Sequence, residues 1–195
     1  MISQKSIYQT FIERNSLPKN WSKIEALVVK KTYKKGYLLN FNNKIATKIF
    51  FLKEGVIRKF FIDTNGKEYS KYIYTDNHLI ACFDSLHNNR PSSFSLSCLS
   101  PVIIYEIEYA KLLSLIENVP NLKKIYYSLI MHLFIHAEQT LARKIALSTT
   151  NQYLHFIKNA NTNHKIPLKH IASYLGITPI QLSRIRKKLK EQQLV

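Results

Sequence analysis

Two short helical patterns meet at a single glycine near the C-terminal end of the chain. Residues 166–189 read IPLKHIASYLGITPIQLSRIRKKL. Gly176 stands where the first helix must end in the left-handed conformation, which glycine adopts without steric cost. Thr178-Pro179 then gives the second helix an N-cap and a proline at its first position. The apolar residues at helical spacing are Ile171, Leu175, Ile177, Leu182 and Ile185. They predict a small core between two crossing helices, and Ala172 permits their close approach.

The exposed side of the second helix is predicted to be basic. Its polar residues are Gln181, Ser183, Arg184, Arg186, Lys187, Lys188 and Lys190, with Glu191 as the one acid. Arginine can bond both acceptors of guanine and glutamine can match adenine, so Arg184 and Gln181 are candidate base readers. The pattern predicts a helix-turn-helix whose second helix enters the major groove of DNA. The candidate DNA contacts are Thr178, Pro179, Gln181, Ser183, Arg184, Lys187 and Lys188. The alternative is a solvated basic appendage at the C-terminal end.

The charge balance of the whole chain favours the same class of partner. The formal net charge is +17 and the sequence pI is near 9.8. Such a surplus attracts polyanions, because each neutralised phosphate releases condensed counterions. An AT-rich genome, which enriches Lys codons, is the alternative source of part of this excess. The predicted partner is therefore double-stranded DNA.

The middle of the chain has the texture of a many-stranded β unit. From Val28 to about Glu108, short β-branched and aromatic runs alternate with turn residues. Asp63-Thr64-Asn65-Gly66 is typical of a hairpin turn. Before this unit, the apolar positions between Ser6 and Leu27 predict two short helices, interrupted at Leu17-Pro18. The expected fold class is α+β, with an antiparallel β-roll flanked by helices.

A long helix is predicted after the β unit. Helical spacing runs over Tyr109–Glu117, stops at Asn118-Val119-Pro120 and resumes until Ile145. The predicted dimerisation residues are Leu122, Ile125, Leu129, Leu133 and Ala137. Tyr126, Ile130 and Phe134 widen the apolar face of this helix, so it can cover the β unit on one side and a sister helix on the other, which predicts a homodimer. The alternative is a monomer in which the helix caps one sheet. Ser148-Thr149-Thr150 can then cap a further helix over Asn151–Lys158, followed by a polar loop from Asn159 to His164.

The C-terminal segment resembles the helix-turn-helix of the Crp/Fnr regulators. Their pattern IAxxLGxxxxxxSRxxKxL is matched by Ile171-Ala172, Leu175-Gly176, Ser183-Arg184, Lys187 and Leu189. Upstream, Lys53-Glu54-Gly55-Val56-Ile57-Arg58 and Ile104-Tyr105-Glu106-Ile107 resemble the cyclic-nucleotide-binding-type β-roll (jelly roll) of that family. The resemblance implies a sensor domain over residues 1–120, a dimerisation helix over 121–147 and a helix-turn-helix domain over 148–195. It also implies a bacterial, cytoplasmic transcription regulator with RNA polymerase as a candidate partner.

The ligand-binding residues of cyclic-AMP-binding relatives are absent from this sequence. Those relatives carry a Gly-Glu pair and, further on, an Arg-Ser pair that hold the ribose and the cyclic phosphate. Counting back from Tyr105, these positions fall on Ala81-Cys82 and Ser92-Ser93. Arg90 is the nearest candidate phosphate partner, against a more ordinary role as a solvated loop arginine. We expect no response to cyclic AMP, and the effector is unknown.

Other chemistries find little support in the sequence. Cys82 and Cys98 form no CxxC, and we expect both to be buried strand residues and the cytoplasm to be the compartment. His132 and His136 lie four residues apart on the long helix, but ordinary packing or surface placement fits them better than a shared metal. An enzyme of the cupin type would need clustered ligands that His78 and His87 do not form. No long apolar run predicts a membrane span. We therefore expect no enzyme, no cofactor and no metal.

The predicted function is that of a sequence-specific dimeric transcription regulator of the Crp/Fnr type. The alternative is a DNA-binding protein of low sequence preference whose β-roll is a protein-interaction module. Ile180 stands where many relatives of that family have a base-reading glutamate, and it can contact a thymine methyl. We therefore expect an AT-leaning site. The sequence ends at Val195, and we expect no β-hairpin wing after the second helix.

Overall fold

The computed structural model describes residues 21–160 and 165–193. Within these ranges the helices are α1 (Trp21–Glu25), α2 (Phe83–Asn88), α3 (Tyr109–Glu117), α4 (Pro120–Ala146), α5 (Thr149–Asn159), α6 (Leu168–Leu175) and α7 (Pro179–Glu191). The strands are β1 (Val29–Tyr33), β2 (Leu38–Asn40), β3 (Lys48–Glu54), β4 (Ile57–Ile62), β5 (Glu68–Tyr74), β6 (His78–Ile80), β7 (Ser95–Cys98) and β8 (Val102–Glu108). Among these described helices, none is long and apolar enough to cross a membrane.

The strands form a roll of two antiparallel sheets. In the described ranges, one sheet has the order β1-β8-β3-β6 and the other has the order β2-β7-β4-β5. Along β8 every second side chain from Val102 to Glu106 is buried, so one face of its sheet turns inward. The inward faces meet in a core whose fully enclosed residues include Leu52, Ile57, Ile80, Leu96 and Ile104. The predicted fold class, an antiparallel β-roll with flanking helices and a long helix, is confirmed.

The turns of the roll follow their residue types. The β4–β5 hairpin turns at Asp63–Gly66, where the Asp63 carboxylate accepts the backbone N–H groups of Asn65 and Lys67, each at 2.9 Å. Gly55 precedes β4 with φ +108°, and a Cβ there would lie 2.5 Å from the carbonyl oxygen of Pro101. That position therefore requires glycine on two counts, its backbone angle and the close approach of a second chain segment.

Helices close the core on its open side. Leu112 and Ile116 of α3, together with Val119 and Leu122 around the start of α4, belong to the same buried cluster as the strands. The short helix α2 between β6 and β7 was not predicted from the sequence. It buries Leu86 in the core and is held by Ser85, whose hydroxyl accepts the Ala46 N–H at 2.9 Å.

A second, smaller core lies in the C-terminal unit, by which we mean α5, α6 and α7. Its buried residues are Tyr153, Ile171, Ala172, Leu175, Leu182 and Leu189. Helix α5 begins at Thr149, two residues before the predicted start, and is capped by Ser148, whose hydroxyl accepts the Asn151 N–H at 3.3 Å. Of the two helices predicted near the N-terminus, only the region of α1 is described. Ile7, Phe11 and Ile12 lie outside the described residues, as does the 161–164 part of the predicted loop.

Candidate nucleic-acid interface

The two helices predicted to bind DNA form and meet at a tight turn. Helix α6 ends at Gly176, which has φ +72°, and α7 begins three residues later at Pro179. Ala172 is fully buried where the helices cross. The Ile177 N–H returns to the carbonyl of Ala172 at 3.0 Å, which caps the end of α6. The crossing is therefore fixed by backbone bonds as well as by the small core.

Helix α7 is started by a reciprocal capping box. The Thr178 hydroxyl accepts the Gln181 N–H at 3.2 Å, while the Gln181 side-chain oxygen accepts the Thr178 N–H at 2.9 Å. The pattern Thr-x-x-Gln, which signals this box, is visible in the sequence, although Gln181 was assigned there to base reading alone. In the free protein its amide oxygen is already engaged, so only the amide NH₂ is left for a base.

The outward face of α7 is basic and uncovered. Its exposed residues are Pro179, Ile180, Gln181, Ser183, Arg184, Arg186, Lys187, Lys188, Lys190 and Glu191. Ile180 is 67% exposed near the start of this helix, so its side chain is accessible to a partner. The inward face, with Leu182 and Leu189, is buried in the small core. The arrangement presents five cations and one acid along one helix, a surface suited to a polyanion.

Helix α6 lies against the roll. Within the described part of its sheet, β5 is an end strand, and α6 packs along it. The Ser173 hydroxyl accepts the Ser70 N–H at 2.9 Å and donates to the Glu68 carbonyl at 3.4 Å. The contact involves α6 and leaves the basic face of α7 exposed.

His170 lies at this contact in a basic environment. Burial is the main cause that lowers its pKa to about 4, and the nearby charges of Arg58 and Lys169 add to that effect. Glu68 opposes the shift, but its carboxylate is engaged by Arg58, which also donates to the Ser70 hydroxyl at 2.7 Å. His170 is therefore expected to be neutral at physiological pH.

The predicted ligand-binding positions are mostly buried. Ala81, Cys82 and Ser92 are buried, and Ser93 is exposed. The Phe94 carbonyl accepts bonds from the Ser92 hydroxyl at 2.8 Å and from the Asn40 amide at 2.9 Å. The Cys82 thiol donates to the same carbonyl at 3.9 Å, so the two candidate segments are in direct contact.

Lys59 occupies the space between these segments. Its side chain comes from β4 and is 9% exposed; its ammonium donates to the Ala81 carbonyl at 2.8 Å and lies 4.8 Å from the centre of the Phe94 ring. Burial lowers the pKa of Lys59. Among the described residues, no carboxylate pairs with it. The sequence offered no signal for this position, because a lysine in a strand is ordinarily a surface residue.

Arg90 is committed to a different partner from the one considered for it. Its guanidinium pairs with Asp84 on the exposed surface, at 2.6 Å. The pKa of Asp84 is lowered, mainly by this hydrogen bond. Arg90 therefore ties the segment after α2 back to the first turn of that helix and is not available as an unpaired phosphate partner.

The apolar residues of α4 are shared between the roll core and an exposed row in a way that differs from the prediction. Leu122 is 1% exposed in the roll core and Ile125 packs against it, so these two residues serve their own chain. Leu129 and Leu133 are half-buried, and Ala137 is exposed. A separate exposed row, which we call the α4 seam, consists of Tyr127, Met131, Phe134, Glu138, Leu141 and Ile145. Its members are spaced alternately by four and three residues, the heptad pattern of paired helices.

The remaining candidates carry no ligand chemistry in the described residues. Cys82 and Cys98 are buried and unpaired with each other, and burial raises the pKa of Cys98 to about 11. No group of three or more His, Cys, Asp and Glu side chains within 21–160 and 165–193 is arranged to hold a metal. Burial lowers the pKa of His136, which shares its surroundings with His132, His155 and Arg143.

The sequence matches no protein-family model and no curated protein, but the fold has many solved counterparts. FixK2 from Bradyrhizobium japonicum superposes with a TM-score of 0.72 at 12% identity, covering 85% of this chain and 86% of that chain. A transcriptional regulator of the Crp/Fnr family from Eubacterium rectale gives 0.70 at 16% identity, covering 93% and 88%. The c-di-GMP-responsive global regulator CLP of Xanthomonas campestris gives 0.66 at 13% identity, covering 90% and 92%.

These likenesses extend over the roll, the long helix and the C-terminal unit together, since each covers most of both chains. At such low identities they establish the arrangement of the backbone and leave the roles of individual residues to local geometry. The protein has the fold of the Crp/Fnr transcription regulators.

Proposed function

We propose that this protein is a sequence-specific, homodimeric DNA-binding regulator of transcription. The observation that carries the proposal is the uncovered basic face of α7, on a helix with a capped start and a buried inner face. A helix of this kind fits the major groove, where Arg184 would read a guanine and Ile180 would contact a thymine methyl. The lysines would bind phosphates and fix the position of the helix along the duplex.

The Gln181 side chain has a narrower role in this proposal than its chemistry alone suggests. Reading adenine requires both its amide oxygen and its NH₂. The oxygen is held by the Thr178 N–H at 2.9 Å, so we infer that Gln181 chiefly organises the start of α7. Thr178 and Pro179 belong to the same start, and Ser183 lies beside Arg184 on the outward face.

The second copy is proposed to bind along the α4 seam. Aromatic and aliphatic side chains exposed in a heptad row are costly in water and are covered when two such helices pair. Ile145, at the end of the row, is 78% exposed in the single chain. A two-fold pair presents two copies of α7 to half-sites separated by about 34 Å, one turn of the double helix.

The three parts of the chain take separate tasks in this scheme. Residues 1–120 form the sensor, 121–147 the dimerisation helix and 148–195 the DNA-binding unit. The protein would act in the bacterial cytoplasm. Once bound to DNA, it would activate or repress transcription by RNA polymerase, its proposed protein partner.

Cyclic AMP is proposed not to be the effector. The Lys59 ammonium lies where the resemblance places the ribose and phosphate contacts, and Arg90 is paired with Asp84. We expect saturating cyclic AMP to leave both the melting temperature and the DNA affinity unchanged. A ligand that binds the folded state would raise the melting temperature, so a thermal shift with cyclic AMP is the measurement.

Selection from random duplexes tests the main proposal. The full chain is expected to recover a two-fold-symmetric consensus, with base preferences under both copies of α7. Salt titration of the selected and scrambled duplexes then separates specific from electrostatic binding. Retention of all sequences alike, lost steeply with salt, would contradict a sequence-specific regulator.

The closure of the roll around Lys59 favours a second candidate function. Because the Lys59 ammonium occupies the ligand position, the roll would not bind a small effector there. Such a roll can instead serve as a protein-interaction module. The chain would then bind DNA with little sequence preference. The same selection distinguishes the two functions, because this candidate predicts no symmetric consensus.

A further inference from the structure

The contact between the C-terminal unit and the roll has a polar half built on backbone groups. Strand β5 is an end strand of its sheet in the described ranges, so its outer backbone groups lack a neighbouring strand. Ser173 of α6 meets two of them, accepting the Ser70 N–H at 2.9 Å and donating to the Glu68 carbonyl at 3.4 Å. One hydroxyl therefore replaces part of a missing strand, with a fixed register along β5.

The same contact has an apolar half. Ile73 of β5 packs against the small core of the C-terminal unit, as do Tyr174 and Phe156, whose ring centres lie 5.6 Å apart. Lys144 at the end of α4 donates to the Tyr174 carbonyl at 3.4 Å, and its ammonium lies 4.5 Å from the centre of the Tyr174 ring. We call the set Ser70, Ile73, Ser173 and Tyr174 the β5 contact.

The joint between α4 and α5 is held by a different set of hydrogen bonds, which Gln152 makes. The Gln152 side-chain NH₂ donates to the carbonyls of Lys144 at 3.0 Å and Leu147 at 2.9 Å. These are carbonyls at the end of α4 that no later turn of the helix can satisfy. The C-terminal unit is thus fastened at two separated places, a corner and a strand edge, which leaves it one orientation relative to α4.

We propose that Ser173 and the strand edge it bonds are positioning elements that set the half-site spacing which the dimer accepts. This inference rests on the proposed function. If two copies of α4 pair along the seam, the distance and angle between the two α7 helices follow from how each C-terminal unit sits on its own roll. One added base pair between half-sites shifts them by about 3.4 Å and rotates them by about 35°. A unit held in one orientation rejects that change, whereas a loosened unit follows it.

The test compares spacing preference in full-length variants. Duplexes carry the selected half-sites with the spacer lengthened or shortened by one base pair. Ser173→Ala removes the bridging hydroxyl, and Ser173→Thr retains one. The matched control is Ser114→Ala, the same change at an exposed serine of α3. Ile73→Ala loosens the apolar half and serves as a second variant, so the inference stays testable if Ser173→Ala does not fold.

The expected result is a loss of discrimination with retained recognition. The affinity ratio between the preferred spacing and its neighbours should fall by about 2- to 10-fold in Ser173→Ala and in Ile73→Ala, the factor that one hydrogen bond typically represents. The half-site sequence preference should not change, and Ser173→Thr and Ser114→Ala should behave as wild type. Hydrogen exchange at the Ser70 amide should accelerate in Ser173→Ala even without DNA.

Two different failures are distinguishable. If the folded variants at Ser173 and Ile73 keep the wild-type spacing ratio while the wild type binds two half-sites, the positioning role is overturned and the proposed function stands. If the wild type recovers no paired half-sites at all, the proposed function itself fails and this inference fails with it.

Discussion

Arg184 and Lys188 lie one turn apart on the exposed side of α7, yet the proposal gives them different tasks. A guanidinium bonds two acceptors of one base in a fixed geometry, while an ammonium acts as a point charge near phosphates. Arg184→Ala should weaken binding by about 1–3 kcal/mol and relax preference at one base position. Lys188→Ala should weaken all sequences alike and reduce the salt slope by about one. Titrations of both variants on consensus and single-base-changed duplexes at several salt concentrations measure this, and equal sequence-blind losses would refute the assignment.

His170 gives the fold a dependence on pH at the β5 contact. Its pKa in the folded protein is about 4, below the ordinary 6.5, so the folded chain binds the proton more weakly than the unfolded chain. Its contribution to stability is therefore complete above about pH 6.5 and is lost as the pH falls toward 4. Protonation would add a charge beside Arg58, Lys169 and Lys35, with Glu68 as the one opposing acid among the groups that shift it.

His170→Gln should reduce this loss of stability in acid. Melting temperatures at neutral pH and near pH 5 are compared for wild type, His170→Gln and His87→Gln, a matched change at an exposed histidine of α2. Because the neutral amide takes no proton, the fall in melting temperature between the two pH values should be smaller in His170→Gln than in wild type. If the melting temperature of His170→Gln fell by as much as that of the wild type, a role for the His170 side chain would be contradicted.

Helix α7 illustrates how much a single element depends on its first turn. Without the Thr178 hydroxyl, the Gln181 N–H loses its partner at the start of the helix. Thr178→Ala should therefore lower the free energy of unfolding by about 1 kcal/mol. Urea unfolding followed by circular dichroism measures the change, with Thr178→Ser as the variant that keeps the hydroxyl. Equal stability of both variants would mean that the capping box contributes nothing.

Much of the element order follows from local pattern in the sequence, and the faces of the elements do not. The hairpin at Asp63–Gly66 and the stop at Gly176 are set by residue types that need particular backbone angles, so they could be predicted. Leu122 and Ile125 were predicted to meet a second chain, but they pack on the roll. Helical periodicity marks both stripes of α4 as apolar and cannot say which one turns inward.

The candidate site likewise has features that local sequence predicts and features that depend on tertiary contacts. The basic face of α7 and its Thr-Pro start follow from spacing and composition within one short segment. Lys59 and Ser173 act through residues distant in sequence, Ala81 and Ser70, and only the tertiary packing brings these pairs together. Their side chains carry no local signal of burial or pairing, since Lys and Ser are ordinarily surface residues.

At the scale of the whole molecule, the α4 seam should decide whether the protein acts as one copy or two. Leu141→Glu places a charge in the seam next to Glu138 and should convert a dimer to a monomer. Affinity for the two-half-site duplex should fall by about 100-fold or more, because each copy then binds alone. Sedimentation equilibrium and a DNA titration measure the two effects. The control, Gln139→Glu, adds the same charge at an exposed position outside the seam and should change neither the oligomeric state nor the DNA affinity. A wild-type protein that is monomeric would contradict the seam as an interface.

The covering of β5 by α6 has a consequence for the state in which the C-terminal unit is absent or displaced. Ser70 and Glu68 would then present unpaired backbone groups along an open strand, next to the uncovered side chain of Ile73. Such an edge is a template on which a strand from another molecule can add. The helix that orients the DNA-binding surface would thus also guard the chain against self-association, and removing the C-terminal unit should yield a roll that aggregates.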